Sequence, residues 1–237
     1  VIELQETKTG GTSEISASGY RVFFSGGCSM VKGREGQHGF GFTIKEEIVK
    51  KAGEEGITIE CISARLLKAR IWIKSNFVTF VVAYAATEEA PEGQKVNYMA
   101  ALNFTVALVP AREYVFILTD ENARTGKRGE GGGEADSKVL GTYGRDKINK
   151  NGKLLLGFAE DNKLAFLNTF FCIPKSGVSY TFQSAFQSAN RSKGQALLDY
   201  ILAKQADRRL IRCVNVRRSP LEAPESDHNL VYAKIRI

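Results

Sequence analysis

Hydrophobic and polar positions along this chain follow mostly the two-residue period of β-strands. Short apolar or alternating runs occur at 20–24, 40–44, 57–62, 69–73, 77–84 and 114–118. The run from Phe77 to Tyr84 is almost entirely apolar and rich in β-branched residues, which predicts a central strand buried on both faces. The segment from Tyr114 to Leu118 predicts a second strand of this kind.

Helical periodicity is less frequent. Apolar residues recur every three or four positions in 93–109 and again in 151–162, and both segments are predicted as helices. The segment 196–202 fits a strand or a helix, and Tyr200-Ile201-Leu202 favours a strand. The glycine-rich, charged segment 126–144 has little to bury and is interpreted as a loop.

Many strands and few helices indicate one α+β domain over residues 1–237, built from two packed sheets flanked by helices. A chain of this length can bury a sizeable core. It begins without Met, in what reads as the end of a strand, so we expect a further strand to precede Val1.

Composition narrows the class of partner. The formal net charge of +7 and the pI near 9.2 permit a polyanionic partner without requiring one. The four cysteines have no zinc-ligand spacing and are read as free thiols, which favours an intracellular, reducing compartment. No apolar run has the length of a membrane span, so a membrane partner is not predicted.

Polar residues with catalytic potential stand where apolar runs stop, and strand ends at one edge of a sandwich can converge on a cleft. These residues are Glu6, Tyr84, Asp120, Asn122, Asp199, Asp227 and His228. Such a set supplies what phosphodiester hydrolysis needs. Carboxylates such as Glu6 and Asp227 suit a divalent cation that offsets phosphate charge.

The other residues suit the remaining steps. Asp120 could orient or deprotonate the attacking water, while Asn122, Tyr84 and protonated His228 could stabilise the transition state. Asp199 could fix the tautomer of His228 and raise its pKa.

Basic residues cluster in 186–218, where they far outnumber acidic ones. A solvated face is the usual meaning of such a run. Its position beside Asp199 favours phosphate contacts along a nucleic-acid backbone, with Arg191 and Lys193 as candidates and Arg124 adding to the same surface. Backbone contacts do not imply base specificity.

Ordered motifs carry a family resemblance. They are Leu4-Gln5-Glu6-Thr7, Tyr84-Ala85-Ala86-Thr87, Asp120-Glu121-Asn122-Ala123, Asp199-Tyr200-Ile201-Leu202 and Ser226-Asp227-His228-Asn229-Leu230. In order and spacing they resemble the endonuclease/exonuclease/phosphatase superfamily, which includes abasic-site endonucleases and the deoxyribonuclease I group. Four further stretches narrow the resemblance to one group within this superfamily. They are Gln37-His38-Gly39-Phe40-Gly41-Phe42, Asn151-Gly152-Lys153-Leu154-Leu155, Leu167-Asn168-Thr169-Phe170-Phe171 and Tyr180-Thr181-Phe182. They resemble the endonuclease domain of RTE-type non-LTR retrotransposons and of craniofacial development protein 2-like host proteins.

The resemblance implies a four-layer α/β/β/α sandwich of two mainly antiparallel sheets with the active site at one edge. It implies a Mg²⁺-dependent endonuclease, with Mn²⁺ as an alternative ion, that nicks duplex DNA and leaves a 3′-hydroxyl for target-primed reverse transcription. Thr181 and Ser226 match polar residues that line the DNA cleft. The expected setting is a monomeric domain of a longer polyprotein, intracellular, and nuclear when it acts on chromosomal DNA.

The chain departs from the family pattern at Thr119, where glycine is usual, and at Ala86, where proline is usual. Glu121 stands where an aromatic residue is usual and is expected to add negative charge beside the phosphate site. Two alternatives stay open. One is a catalytically inactive nucleic-acid-binding or interaction remnant, and the other is the same fold acting on RNA or another phosphodiester.

Overall fold

The computed structural model describes residues 1–5, 7, 11–26, 39–129, 137–172, 178–184, 194–218 and 226–237. Its strands are β1 (Ile2–Gln5), β2 (Thr12–Ala17), β3 (Tyr20–Gly26), β4 (Gly39–Lys45), β5 (Ile57–Ser63), β6 (Leu66–Ile73), β7 (Asn76–Tyr84), β8 (Tyr114–Asp120), β9 (Leu164–Phe166), β10 (Phe182–Gln183), β11 (Gln195–Ala196), β12 (Asp199–Lys204), β13 (Ile211–Arg217) and β14 (Leu230–Ile235). Its helices are α1 (Glu46–Ala52), α2 (Glu92–Ala107) and α3 (Lys150–Asp161), with short 3-10 helices at Glu54–Gly56, Leu167–Phe170 and Gln205–Leu210. The fold is therefore mixed α/β, as the sequence predicts.

The chain divides into two compact units. The first unit comprises Val1–Tyr84 and Ala100–Leu118. It contains the four-stranded antiparallel sheet β1-β4-β3-β2 and a second run of neighbouring strands in the order β5-β6-β7-β8. The core of this unit is aromatic, because Phe80 lies 5.7 Å from Phe42 and 5.9 Å from Phe116 between ring centroids.

Strand β7 is the central strand that its apolar composition predicts. Every residue from Val78 to Ala83 is buried. Strand β6 pairs with it in antiparallel register, with Ala69 opposite Phe80. A run without polar positions suits a strand that has no solvent face, which explains why the two-residue alternation is absent here.

The second unit comprises Ala85–Met99 and Thr119–Ile237. Strands β12 and β9 pair antiparallel in this unit, as do β13 and β14 and the short strands β10 and β11. Helix α3 buries Leu155 and Phe158, and the rings of Phe166 and Tyr200 meet edge to face at 5.2 Å. This unit contains the last residues of β8, the start of β12 and the segment that leads into β14.

The loop predicted at 126–144 is free of helix and strand over its described residues, 126–129 and 137–144. It nevertheless contributes to the core, because Val139 and Leu140 are each only 1% exposed. The main-chain amide of Phe166 donates to the carbonyl of Val139. Within the described part of the chain, no helix has both the length and the hydropathy of a membrane span.

Candidate active site

Three titratable residues from distant parts of the chain meet in the second unit. Asp120 is the last residue of β8, Asp199 is the first residue of β12, and His228 lies two residues before β14. Each therefore stands where a strand begins or ends, as the sequence predicts. One possible ligand atom from each of the three lies within 4.8 Å of the others.

His228 is at the centre of this cluster. Its Nδ1 atom lies 3.0 Å from Oδ2 and 3.2 Å from Oδ1 of Asp199. Its Nε2 atom lies 3.8 Å from Oδ2 of Asp120 and 3.9 Å from Oδ1 of Asp227. The short Nδ1 contact assigns the Nδ1 proton to the pair with Asp199, so the other ring nitrogen is directed toward the two remaining carboxylates.

Burial and charge act on the cluster together. Burial raises the pKa of Asp120, and the nearby charge of Asp199 raises it further. Burial is the largest single influence on the pKa of His228 and lowers it. The hydrogen bond and charge of Asp199, with the charges of Asp120 and Asp227, act in the opposite direction and raise this pKa to about 9. The negative neighbours therefore favour the protonated form of His228.

The backbone at Asp199 is fixed from both sides. The hydroxyl of Thr181 accepts hydrogen bonds from the main-chain amides of Leu198 and Asp199, at 2.9 and 3.0 Å. The side chain of Asn168 donates to the carbonyl of Asp199 and accepts from the amide of Ile201. Thr181 is fully buried, so its hydroxyl supports the start of β12.

Phe182 lies against the imidazole. The two ring centroids are 5.2 Å apart with a tilt of 62°, and a β-bridge joins Phe182 to His228. The next amide, that of Gln183, donates to the carbonyl of Asp227. Asn168 and Phe182 lie in stretches that carry the family resemblance, but they were not predicted as site residues, because one isolated aromatic residue and one buried amide leave no periodic signal.

Asn122 follows Asp120 in a tight turn. Its φ of 47° lies in the left-handed region, which asparagine tolerates better than most residues. Its amide donates to Oδ1 of Asp120 at 3.0 Å, and its side-chain Nδ2 donates to the carbonyl of Ala85 at 3.1 Å. The amide of Ala85 in turn donates to the carbonyl of Asp120.

Glu121, which was expected to add negative charge beside the phosphate site, has hydrogen-bond partners of its own. Its carboxylate is buried, and Oε1 accepts hydrogen bonds from Tyr98 at 2.9 Å and from Thr119 at 2.7 Å. Burial raises its pKa to about 7, against the opposing effect of these two donors. Because successive side chains of an extended segment point to opposite sides, Glu121 is directed away from the side of the backbone that presents Asp120.

The remaining predicted residues divide into three groups. Ser226 caps the local turn, since its hydroxyl accepts from the amide of His228 at 3.2 Å, and the side chain of Arg124 is exposed. Tyr84 ends β7 in the first unit, where Arg65 lies over its ring at 5.3 Å. Glu6, Arg191 and Lys193 lie outside the described residues.

The donor set suits a divalent cation. Carboxylate oxygens are the ligands that Mg²⁺ and Mn²⁺ prefer, and the cluster offers them from Asp120 and Asp199 with an imidazole beside them. Asp120 is 3% exposed, and its burial, with the nearby charge of Asp199, raises its pKa. Acidic residues here can therefore hold a metal ion. Asp227 also lies near the imidazole of His228, and its side chain is 52% exposed.

Comparison with solved structures identifies the class of fold. The chain has the endonuclease/exonuclease/phosphatase fold, with the deoxyribonuclease I-like arrangement of sheets and helices. The catalytic domain of Xenopus laevis APE2 is similar over 99% of this chain and 82% of its own, with a TM-score of 0.67 and 18% identity. The endonuclease domain of TRAS1, a telomere-specific non-LTR retrotransposon, is similar over 96% of this chain and 86% of its own, with a TM-score of 0.58 and 17% identity. An AP endonuclease from Archaeoglobus fulgidus is similar over 92% of this chain and 80% of its own, with a TM-score of 0.62 and 16% identity.

Two curated proteins are similar to the chain over its full length. Craniofacial development protein 2 of Bos taurus is 25% identical over 237 residues, and the protein of that name from Tragulus javanicus is 24% identical over 239 residues. The whole of this chain is covered in both cases, but it spans only 36% and 37% of these relatives. No protein-family model matches the chain.

Proposed function

We propose that this chain is a Mg²⁺-dependent endonuclease that nicks one strand of duplex DNA, with Mn²⁺ as an alternative ion. The observation that carries the proposal is the geometry of the His228 imidazole, which is hydrogen-bonded to Asp199 through Nδ1 and directed through Nε2 toward Asp120. Such a group places positive charge and a proton where a phosphate between these carboxylates needs them. The fold and the names of its structural neighbours support a nuclease.

In the proposed reaction a water oxygen attacks the phosphorus atom, and the bond between phosphorus and O3′ breaks. The attacking water gives one proton to Asp120, and the leaving O3′ takes up a proton from solvent water and becomes a 3′-hydroxyl. His228 stabilises the charge that develops on the phosphate, assisted by Asn122 and Tyr84. Glu6 and Asp227 are proposed from the family resemblance to hold the divalent ion, which leaves Asp120 and Asp199 free for the roles given above, and the ion would offset the phosphate charge when present.

Basic and polar side chains are proposed to hold the duplex through its backbone. Arg124 is exposed two residues after Asn122, and Arg191 and Lys193 are proposed from their place in the basic segment. Thr181 and Ser226 are proposed from the family to line the DNA cleft. Their hydroxyls also hold the protein main chain at Asp199 and at His228. Contacts of this kind give salt-sensitive binding with little base preference.

The biological setting follows from the relatives. One structural neighbour is the endonuclease domain of a non-LTR retrotransposon. We therefore propose that the chain serves, or descends from, target-primed reverse transcription. In that setting it acts as a monomeric domain of a longer protein on chromosomal DNA in the nucleus, and the nick that it leaves supplies the primer.

A nicking assay on supercoiled plasmid tests the function. The 237-residue chain with Mg²⁺ should convert supercoiled plasmid into open circles, and the nicks should be extendable by a DNA polymerase without prior phosphatase treatment. EDTA should abolish the conversion. The matched variants are Asp227→Asn, which should demand more Mg²⁺, and Asp161→Asn on exposed helix surface, which should behave as wild type.

Other results would select the alternatives. Salt-sensitive DNA binding without Mg²⁺-dependent cleavage would contradict the endonuclease and leave an interaction remnant. Cleavage of single-stranded RNA with an intact plasmid would assign a different phosphodiester substrate to the same site.

A further inference from the structure

The turn that carries Asn122 is held by the beginning of helix α3. The left-handed backbone of Asn122, with φ of 47°, costs a non-glycine residue about 1–2 kcal/mol, so surrounding contacts must stabilise it. Two of these contacts are local, from the amide of Asn122 to Asp120 and from its side chain to the carbonyl of Ala85. These two contacts do not involve the carbonyl of Asn122 or the residues that follow it, which are held by other parts of the chain.

Asn151 supplies the missing contact. Its Nδ2 atom donates to the carbonyl of Asn122 at 3.3 Å and to the carbonyl of Ala86 at 3.0 Å. One buried amide group therefore joins the catalytic turn to the segment 85–88. Since Asn122 itself bonds to Ala85, the turn and this segment are tied twice at adjacent residues.

The chain after Asn122 is tied to the same helix end. The side-chain oxygen of Asn149 accepts from the amide of Arg124 at 2.9 Å, and the amide of Asn149 donates back to the carbonyl of Arg124 at 3.1 Å. A Cβ atom on Gly152 would lie 2.0 Å from that carbonyl oxygen. Glycine is therefore required for the turn and the helix to approach this closely.

Capping of helix α3 does not explain Asn151. The cap is provided by Asn149, which accepts from the amide of Gly152 at 2.8 Å. The carboxylate of Glu88 accepts from the amides of Lys150 and Asn151 at 3.1 and 3.2 Å. The side-chain amide of Asn151 makes its two hydrogen bonds to carbonyls outside the helix. The side chain of Asn151 therefore stabilises the turn at Asn122, while Asn149 and Glu88 accept from the first amides of the helix.

We propose that Asn151 is a positioning residue for the catalytic turn, acting through the main chain of Asn122. The proposal rests on the proposed nuclease function for its kinetic consequence, but its structural content is independent of it. Without this amide, Asn122 loses one of the three contacts that hold its left-handed backbone. Its side chain and the adjacent Asp120 then sample orientations unsuited to the reaction, and small displacements of this kind are costly in rate.

The kinetic experiment compares Asn151→Ala with Asn162→Ala. Asn162 lies at the other end of α3, where its Nδ2 also donates to a main-chain carbonyl, that of Phe158. In single-turnover cleavage of a short DNA duplex, Asn151→Ala should lower the rate constant about 10- to 100-fold with little change in KM. Asn162→Ala should lose comparable thermal stability and keep the wild-type rate constant. A wild-type rate constant in Asn151→Ala, or equal losses in both variants, would overturn the proposal.

Amide hydrogen exchange keeps the proposal testable without cleavage. In metal-free protein, Asn151→Ala should accelerate exchange of the amides of Asn122 and Arg124, while the interior of α3 keeps its protection. Asn151→Ser is the milder second variant in case the alanine variant does not fold. Unchanged exchange at these amides would overturn the positioning role. A wild-type chain that fails to nick DNA but shows the selective exchange would instead count against the nuclease function alone.

Discussion

The Nδ1 atom of His228 lies 3.0 Å from Oδ2 of Asp199, although the two residues are 29 positions apart in the chain. This contact decides which ring nitrogen is available for chemistry. It also makes the carboxylate of Asp199 the strongest of the influences that raise the pKa of His228. Removing that carboxylate therefore has separate consequences for cleavage and for protonation.

Asp199→Asn should lower the rate of DNA cleavage about 10²- to 10⁴-fold, because the imidazolium loses the partner that orients and stabilises it. The measurement is single-turnover nicking in Mg²⁺ at neutral pH. Asp161→Asn, the same change on an exposed face of α3, serves as the control. Cleavage by Asp199→Asn at the wild-type rate would exclude a catalytic role for the pair.

The protonation of His228 should shift in the same variant. The wild-type pKa of about 9 is above the usual value for histidine because the imidazolium is stabilised by negative neighbours. Asp199→Asn removes the strongest of these influences, so the pKa should fall. An NMR titration of the two histidines in EDTA measures it, with His38→Ala used to assign the signals.

The raised pKa of His228 also makes the free energy of unfolding depend on pH. A group whose pKa is raised on folding stabilises the protein fully below its unfolded pKa and loses that contribution as the pH rises through the folded value. The stability difference between wild type and Asp199→Asn should therefore be largest below about pH 6.5, the ordinary histidine pKa. It should shrink as the pH approaches 9. A difference independent of pH would contradict the assignment.

Tyr98→Phe should destabilise the second unit. The phenol of Tyr98 is 7% exposed and donates to the buried carboxylate of Glu121 at 2.9 Å. Removing the hydroxyl leaves a buried acceptor short of one donor, at a cost of about 1–3 kcal/mol. Thermal or urea unfolding measures it, and Tyr143→Phe, at a side chain 46% exposed, should cost far less.

Arg70→Met should destabilise the first unit in a pH-dependent manner. Glu113 is buried and accepts from Arg70 at 2.6 and 2.9 Å and from Thr79 at 3.2 Å. Loss of the guanidinium leaves its carboxylate without the charged partner, and about 2–3 kcal/mol is expected because Arg70 is partly exposed. Lys68→Met breaks the cross-strand ion pair between Lys68 on β6 and the half-exposed Glu60 on β5 and should cost less than about 0.5 kcal/mol.

The pH dependence of this pair has the opposite sign to that of the histidine. The hydrogen bond with Arg70 is the main influence that lowers the pKa of Glu113. A lowered carboxyl pKa contributes stability above the unfolded value, and this contribution is lost as the pH falls through the folded value. The deficit of Arg70→Met should therefore be greatest near neutrality and decrease below about pH 4.3, the ordinary glutamate pKa. A deficit that grows in acid would refute the pairing.

Strands that are buried were predictable because they appear in the sequence as apolar runs, whereas exposed strands have no such run and were not predictable. Strand β7 could be read from its apolar run because it is buried from Val78 to Ala83. Strand β2, Thr12–Ala17, is exposed along its whole length and is held by pairing with β3. Its side chains therefore carry no alternation, and hydrogen bonding between main chains leaves no trace in side-chain type.

The candidate site was predictable in its residue types but not in its supports. Asp120, Asp199 and His228 could be chosen because acids and histidine stand at strand ends. Glu121 was expected to add negative charge beside the phosphate site; its carboxylate accepts hydrogen bonds from Tyr98 and Thr119, partners that the sequence pattern did not mark. Asn151 lies in a motif that carries the family resemblance, but its support of the turn could not be predicted, because its two acceptors are main-chain carbonyls and no side chain in the sequence marks them.

The cluster around His228 has a consequence for synthesis on the ribosome. Asp120 and Asp199 are made well before His228, which belongs to the segment leading into β14. A nascent chain therefore carries both carboxylates for some time without the imidazole that completes them. The cluster assembles only once this late segment has emerged from the exit tunnel and docked, so the cleavage proposed above is expected only of chains translated beyond His228.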